Sequence, residues 1–347
     1  MKSAPMLEGA DLYLMILPKF DRPETVWAMA TAIETRSGLV QTRAANFGED
    51  SMTVQELENI VGLLTSRPQV ENPPVEDMRE GFEKLAHFLP VPEDASVEAI
   101  EVDGVPSEWV RAPGASEARV VLYLHGGGYV IGSLNTHRRM AYDMSASSGA
   151  SVLVIDYRMG PESPFPAAVE DAVKAYNWLL TQGVTAANIA IAGDSAGGGL
   201  TIATLVSLRD QGIDLPSCAV PISPWVDLEG AGESMTRNEA VDPMVRKPGL
   251  LRMADFYLSG ADARDPLASP LHADLNGLPP LLIQVGTRET LLDDSRRLHD
   301  KALAAGVNSS LEEAGGMIHV WHLFAPMLSE GREAIDRAGA FIRTHTG

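Results

Sequence analysis

Two glycine-rich segments carry the residue types that acyl-transfer chemistry needs. In NIAIAGDSAGGGLTIATL an apolar run ends in Gly193-Asp194-Ser195-Ala196-Gly197, a G-x-S-x-G, and a helical pattern starts at once. A serine on a tight turn between a buried strand and a helix has its Oγ lifted above the sheet, and such a turn leaves no room for bulk at Gly193 and Gly197. The helix N-terminus behind it adds positive potential where an oxyanion would form. The bland alternative is a plain Gly-rich strand-to-helix turn; the strand before and the helix after favour a nucleophile. In VVLYLHGGGYVIGS a second strand runs into His125-Gly126-Gly127-Gly128. Successive glycines let backbone N–H groups approach a substrate oxygen closely. A phosphate-cradling loop would want a Lys and a Ser or Thr after the glycines, but Tyr129, Val130 and Ile131 stand there. The oxyanion donors assigned are the N–H groups of Gly127, Gly128 and Ala196. Gly126 sets the turn, and His125 fixes the loop rather than acting as a base.

A serine nucleophile needs a base and an orienting carboxylate, and with this elbow they follow in the order Ser, Asp or Glu, His. Of the eight histidines, His87, His125, His137, His272 and His299 come too early. His299 sits in the helical pattern DDSRRLHDKALAAG and is expected to face solvent. His345, near the chain end, is expected to fray. His319 in EAGGMIHVWH lies in a Gly-containing loop before the last helix, where the general base belongs. His322 packs or caps; the H-x-x-H pair lacks the acidic or Cys ligands a metal site would need. The acid is sought in the loop Gly286–Asp294 after PLLIQVG. Asp293 and Asp294 start a helix, where acids serve as dipole partners and caps. Glu289 lies before that helix and is the acid chosen, with Asp293 as runner-up.

The elements that must position these residues alternate after residue 95. A hairpin is read from VEAIEVD and SEWVRAP around a Gly104–Pro106 turn. The runs VVLYLH, SVLVIDY, IAIAGD, CAVPIS and PLLIQVG read as strands buried on both faces. PAAVEDAVKAYNWLL, GGGLTIATLVSLRD and DDSRRLHDKALAAG read as helices, and HLFAPMLSEGREAIDRAGAFIRT as a closing amphipathic helix. The rhythm predicts an α/β fold with a mostly parallel sheet covered on both faces. Residues 225–279 break it, with one clear helix, KPGLLRMADFYL, and are taken as an insertion over the edge of the sheet. Before residue 95 only helices are predicted: ETVWAMATAIETRSGLV, SMTVQELENIVGLL with Ser51 as a possible N-cap, and ENPPVEDMREGFEKLAHFLP.

Composition bounds the partners. The chain has 347 residues, 45% of them hydrophobic, enough for a sizeable core. Against 27 Lys and Arg stand 47 Asp and Glu, a formal net charge of −20. Such a surface repels nucleic-acid phosphates, anionic membranes and polyanionic substrates, leaving neutral or cationic small molecules. The single Cys218 rules out an intrachain disulfide and a Cys-based zinc site, and its apolar surroundings suggest an inert buried thiol. LYLMIL, Leu12 to Leu17, is short and follows Glu8 and Asp11 where a signal peptide is positive. No apolar run approaches membrane-spanning length. A soluble, cytoplasmic protein is expected.

HGGG, GDSAGG and the stretch DYRMGPESPFPAAVEDA together resemble the hormone-sensitive-lipase-like esterases, bacterial family IV of the α/β-hydrolase fold, from about residue 95 to the end. The resemblance implies an α/β-hydrolase fold with an eight-stranded, mostly parallel sheet flanked by helices. It implies an oxyanion hole of Gly127, Gly128 and Ala196. It sets the acid about 30 residues before the catalytic His, which suits Glu289 and His319. Glu289-Thr290 departs from the family's Asp-Pro pair, and Glu is one methylene longer. The family's helical cap would fall on residues 1–90 and an insertion at about 227–260, entered through SPWVDL, with 91–347 as the catalytic domain. Apolar residues of the first segment, such as Leu12, Tyr13, Met15, Phe20 and Trp27, would suit an apolar pocket. The implied function is a serine carboxylesterase for short-to-medium acyl esters, using a Ser195–His319–Glu289 triad with no cofactor or metal, and the family admits a homodimer. Alternatives are a lactone or aryl-ester hydrolase, an acyltransferase with the same triad, or a non-catalytic binding protein of the same fold.

Overall fold

Residues 51–66 and 72–347 are described by the computed structural model. The helix read over ETVWAMATAIETRSGLV and the apolar residues of the first segment lie outside them. The strands are β1 (Ser96–Val102), β2 (Val105–Arg111), β3 (Ser116–Leu124), β4 (Ala150–Ile155), β5 (Ile189–Asp194), β6 (Cys218–Ile222), β7 (Leu281–Gly286) and β8 (Ser309–Ala314). They form one eight-stranded sheet in the order β1-β2-β4-β3-β5-β6-β7-β8. β2 runs antiparallel to β1 and β4; all other pairs are parallel. The β1–β2 hairpin turns on Asp103 and Gly104, both left-handed (φ 46 and 85), rather than on Gly104–Pro106. That two-residue turn matches the strands' twist and leaves Pro106 inside β2, opposite Glu101.

The helices are α1 (Ser51–Thr65), α2 (Val75–Ala86), α3 (Leu134–Ser148), α4 (Ala167–Thr181), α5 (Ala196–Asp210), the single turn α6 (Ser234–Arg237), α7 (Lys247–Leu258), α8 (Leu292–Ala304) and α9 (Ser329–His345). Alternate strand residues serve opposite layers, as the two-residue period of a strand requires. Leu122, Leu153, Ile191 and Ile283 pack with Leu179 of α4, Leu200 of α5 and Leu298 of α8. Val121, Val152, Ala192 and Val220 pack with Met140 and Met144 of α3 and Ile335 and Ile342 of α9. Each such aliphatic side chain contributes about 1.5–3 kcal/mol when removed from water. Both faces of the central strands are therefore apolar, which is why β4 to β7 are uninterrupted buried runs.

Several expectations change. α3 was not read as a helix: LNTHRRMAYDMSASS is mostly polar, although its buried residues Thr136, His137, Met140, Ala141 and Met144 keep helical spacing. A Ser133–Thr136 capping box starts it, and Gly149 at φ 64 ends it. The closing helix begins at Ser329, not His322; Pro326 separates it from a short 3-10 turn, Trp321–Phe324. His299 is buried, its Nδ1 2.9 Å from Ser309 Oγ, because it shares the buried stripe Ser295, Leu298, Ala302 of α8. His345 is held in the last turn of α9, with Nδ1 2.8 Å from the Phe341 carbonyl. The insertion does not sit over an edge of the sheet. It leaves β6 and returns to β7, both interior strands. From there α7 reaches the Gly126–Gly128 loop: a Cβ on Gly128 would strike the Met253 sulfur. The Tyr257 carbonyl accepts the Phe165 N–H at 2.7 Å, and Arg252 donates to the Pro73 carbonyl at 2.8 Å. On α2, Arg79 donates to the Val130 carbonyl at 2.9 Å and grips Glu162 with two hydrogen bonds. Among the described residues no helix is long and apolar enough to cross a membrane.

Candidate active site

Ser195 stands between β5 and α5 with φ 54 and ψ −119, a conformation that L residues adopt only under constraint. The constraint is visible. Its N–H donates to the Ile222 carbonyl at 2.8 Å, and its carbonyl accepts the N–H groups of Trp225 at 2.9 Å and Gly199 at 3.1 Å. A Cβ on Gly197 would collide with the carbonyl oxygens of Leu124 and His125, so the sheet approaches the first turn of α5 backbone to backbone. Among the described residues the Ser195 hydroxyl has no hydrogen-bond partner. Ala196 opens α5, and its N–H has no carbonyl ahead of it in the helix.

Beside the elbow, Gly127 and Gly128 adopt φ 119 and 61. A side chain at Gly127 would strike the Ile131 carbonyl. Neither N–H has an acceptor among the described residues, so both are free to serve a ligand oxygen. A residue that sequence reasoning passed over anchors this loop. Asp194, the x of G-x-S, is buried and accepts from Tyr123 OH at 2.8 Å and Gly126 N–H at 3.1 Å, with His137 Nε2 at 3.3 Å. Burial pushes its carboxyl up, but the His137 ring and the Tyr123 hydroxyl outweigh that and hold it below the usual range. The signal was its place: an acid closing a buried strand demands partners. His125 stacks on Tyr157 with ring centres 4.2 Å apart and keeps Nδ1 2.8 Å from the Gly126 carbonyl. Burial, then the neighbouring His137, push it down to about 3, so it is neutral and fixes the loop, as expected.

In the loops after β7 and β8, Glu289 and His319 meet. His319 Nδ1 lies 2.7 Å from Glu289 Oε2. Glu289 Oε1 accepts from Ser223 Oγ at 2.8 Å and Gly286 N–H at 2.6 Å. Both side chains are buried. Burial lowers the His319 pKa, yet the charge and hydrogen bond of Glu289 more than offset this and raise it. The carboxylate claims the proton on Nδ1, which leaves Nε2 for proton transfer. No hydrogen bond joins Nε2 to Ser195 Oγ; such contacts are often loose without substrate. The insertion braces the acid loop: Asn238 Nδ2 donates to the Glu289 carbonyl at 2.8 Å, and Asp242 accepts the Thr290 N–H at 2.8 Å.

The competing groups are engaged elsewhere. Asp293 accepts from Ser234 N–H at 2.7 Å and faces Arg237 and Arg296. Asp294 is buried and accepts the N–H groups of Val226 and Asp227 at 3.0 and 3.1 Å; burial, then the charge of Asp227, push it up to about 8. His322 lies 3.0 Å from Gln284 Oε1, and burial pushes it down to about 3. Burial likewise pushes the Cys218 thiol up to about 12. Among the described residues Asp227, Glu229 and His272 bring metal-ligating atoms within 4.8 Å of one another, but Arg297 at 2.6 Å and Arg264 at 2.8 Å already neutralise the two carboxylates.

Residues 121–323 match a protein family described as having the alpha/beta hydrolase fold. The chain is 48% identical over 299 residues to an acetyl-hydrolase of Streptomyces hygroscopicus, a match covering 85% of this chain and 99% of that protein. It is similar in structure to an esterase from the bacterial hormone-sensitive lipase family, with 50% identity and a TM-score of 0.83 over 84% of this chain and 99% of the other. The chain belongs to the hormone-sensitive-lipase-like esterases. An esterase of Acinetobacter venetianus is a further relative of this family IV enzyme, 33% identical over 82% of this chain and 94% of its own length. EstE5, crystallised and soaked with p-nitrophenyl butyrate, is 51% identical with a TM-score of 0.81, over 84% of this chain and 98% of its own. As a family IV esterase, the protein is a carboxylic ester hydrolase with the α/β-hydrolase fold that its motifs implied.

Proposed function

We propose that this esterase hydrolyses short-to-medium acyl esters through a Ser195–His319–Glu289 triad and an acyl-enzyme. The observation that carries the reading is the buried Glu289–His319 pair at 2.7 Å, with Nε2 unengaged among the described residues, together with a serine held in a strained turn. Ser195 Oγ attacks the ester carbonyl carbon while His319 Nε2 takes its proton. The carbonyl oxygen, now an oxyanion, accepts from the N–H groups of Gly127, Gly128 and Ala196, each worth about 3 kcal/mol of barrier. Glu289 holds the imidazole tautomer and stabilises the imidazolium. His319 then protonates the leaving alkoxide. In the second half it removes a proton from water, which attacks the acyl-enzyme and restores Ser195.

We assign a modest apolar acyl group to a neighbouring cavity of ≈ 330 Å³, which Ser195, His319 and the oxyanion glycines do not themselves line. Leu63, Leu64, Phe82, Phe88, Ile131 and Met244 line it. The volume is at the lower end for small-molecule pockets. Ile131 follows the oxyanion glycines closely, and Met244 donates its N–H to Asp242, which also holds Thr290 beside Glu289. In this reading α1, α2 and the insertion carrying α7 form the cap over the site. The p-nitrophenyl butyrate given to EstE5 is a fitting first substrate. In a series of p-nitrophenyl esters from acetate to laurate, kcat/KM is expected to peak at four to eight carbons (roughly, from the cavity size), and Ser195→Ala to abolish turnover. Undiminished turnover by Ser195→Ala, or a preference for laurate, contradicts the proposal.

A further inference from the structure

One short segment, Ile222–Trp225, touches all three parts of the site. The Ile222 carbonyl and the Trp225 N–H bracket the Ser195 backbone at 2.8 and 2.9 Å. Between them Ser223, fully buried, contacts Glu289 of the triad proposed above and the backbone that follows His319. Its Oγ is 2.8 Å from Glu289 Oε1 and 3.2 Å from the N–H of Val320, the residue after His319. The direction of these bonds follows from chemistry. An ionised carboxylate only accepts, so the Ser223 hydroxyl donates its proton to Glu289, and its lone pair takes the Val320 N–H. One hydroxyl thus ties the acid to the backbone that carries the base.

Two of the chain's left-handed non-glycine residues meet at this bond, Ser223 at φ 43 and Val320 at φ 46. β-Branched residues rarely adopt that conformation, so Val320 is held there by its surroundings. Glycine would satisfy the backbone at position 223 with less strain; what serine adds is the hydroxyl. Glu289 has one more rotatable bond than an aspartate in its place, so its carboxylate needs more constraint to keep one oxygen on His319. Gly286 N–H and Ser223 Oγ supply it on the opposite oxygen.

We propose that Ser223 is a positioning residue that acts through Glu289, holding its carboxylate and the His319–Val320 backbone in one register with the nucleophile. The inference rests on the triad reading. The test compares wild type, Ser223→Gly, Ser223→Ala, Glu289→Gln and the Ser223→Gly/Glu289→Gln double variant, using p-nitrophenyl butyrate. Ser223→Gly and Ser223→Ala are expected to lower kcat by about 10- to 100-fold, the scale of a small misplacement of a catalytic group, with KM within about threefold. Ser223→Gly should melt no lower than Ser223→Ala, since glycine relieves the positive φ. In the Glu289→Gln background, Ser223→Gly should cost less than about threefold more, because a residue acting through another loses its effect when that partner is gone. The proposal is overturned if Glu289→Gln is crippled while both single Ser223 variants keep wild-type kcat, or if the double variant shows the full product of the two losses. Wild-type activity in Glu289→Gln would instead overturn the triad reading itself.

Discussion

On the side of the proposed nucleophile the closest approaches are backbone to backbone, with the Asp194 carboxylate holding the Gly126 N–H. Gly197 presses on the carbonyls of Leu124 and His125, Gly127 on Ile131, and Ser195 is locked by a hydrogen bond to the Ile222 carbonyl and one from the Trp225 N–H. On the acid–base side the contacts are made by side chains. Ser223, Asn238 and Asp242 brace the loop of Glu289, and Glu289 in turn orients His319. The difference teaches where each half is fragile. Adding one carbon breaks the first half; removing one polar atom loosens the second.

Breaking the first half should have the largest effect. Gly197→Ala places a methyl against two carbonyl oxygens that cannot move without displacing β3, and is expected to lose about 3 kcal/mol or more of stability together with measurable turnover. Melting temperature and p-nitrophenyl butyrate hydrolysis check it. Next comes Glu289→Gln, which should lower kcat about 10³- to 10⁴-fold without unfolding the protein. It should also shift the pH profile. His319 must be neutral to accept the Ser195 proton, and Glu289 is what raises its pKa. Without that charge burial dominates, so the acid limb of kcat/KM moves to lower pH. Asp293→Asn, which among the described residues weakens contacts to Ser234 and partly exposed arginines, should stay within about threefold of wild type in kcat/KM.

Asp294→Asn should have the smallest effect on turnover and a pH-dependent one on stability. The folded carboxyl is pushed up to about 8 from an ordinary value of 3.8. Between those values the folded state binds more protons than the unfolded one, so this group's contribution to stability falls as pH rises. Asn keeps the acceptor for Val226 and Asp227 and removes the titration. The melting temperature of Asp294→Asn relative to wild type should therefore rise from pH 5 to pH 8.5. A constant difference contradicts the assignment.

The same contrast explains what was legible in the sequence. Close backbone approach leaves glycine in short, contiguous motifs, so the candidates Ser195, Gly127 and Gly128 could be picked out directly. His319 and Glu289 were chosen from their order and from loops that follow strands, and the structure places their side chains 2.7 Å apart. The braces were not. Ser223 lies 66 residues from Glu289, Asn238 lies 51 from it, and Asp242 lies 48 from Thr290, and no local pattern marks a polar residue that will meet a distant loop. α3 was hidden because its buried face mixes Thr, His and Met rather than aliphatic residues. His299 could have been placed inside, since Ser295, Leu298 and Ala302 mark its stripe as the buried one. The insertion's position needed the strand order, which connections alone do not determine.

The central claim is that Ser195 is the nucleophile, activated by His319 and Glu289. Labelling with phenylmethylsulfonyl fluoride, followed by peptide mass spectrometry and a parallel assay of p-nitrophenyl butyrate hydrolysis, tests it most directly. One sulfonyl group is predicted per chain, on the peptide containing Ser195, with activity lost in step. Labelling should be slowed in Glu289→Gln and absent in Ser195→Ala. A label on another residue, or hydrolysis that survives full labelling of Ser195, would contradict the account.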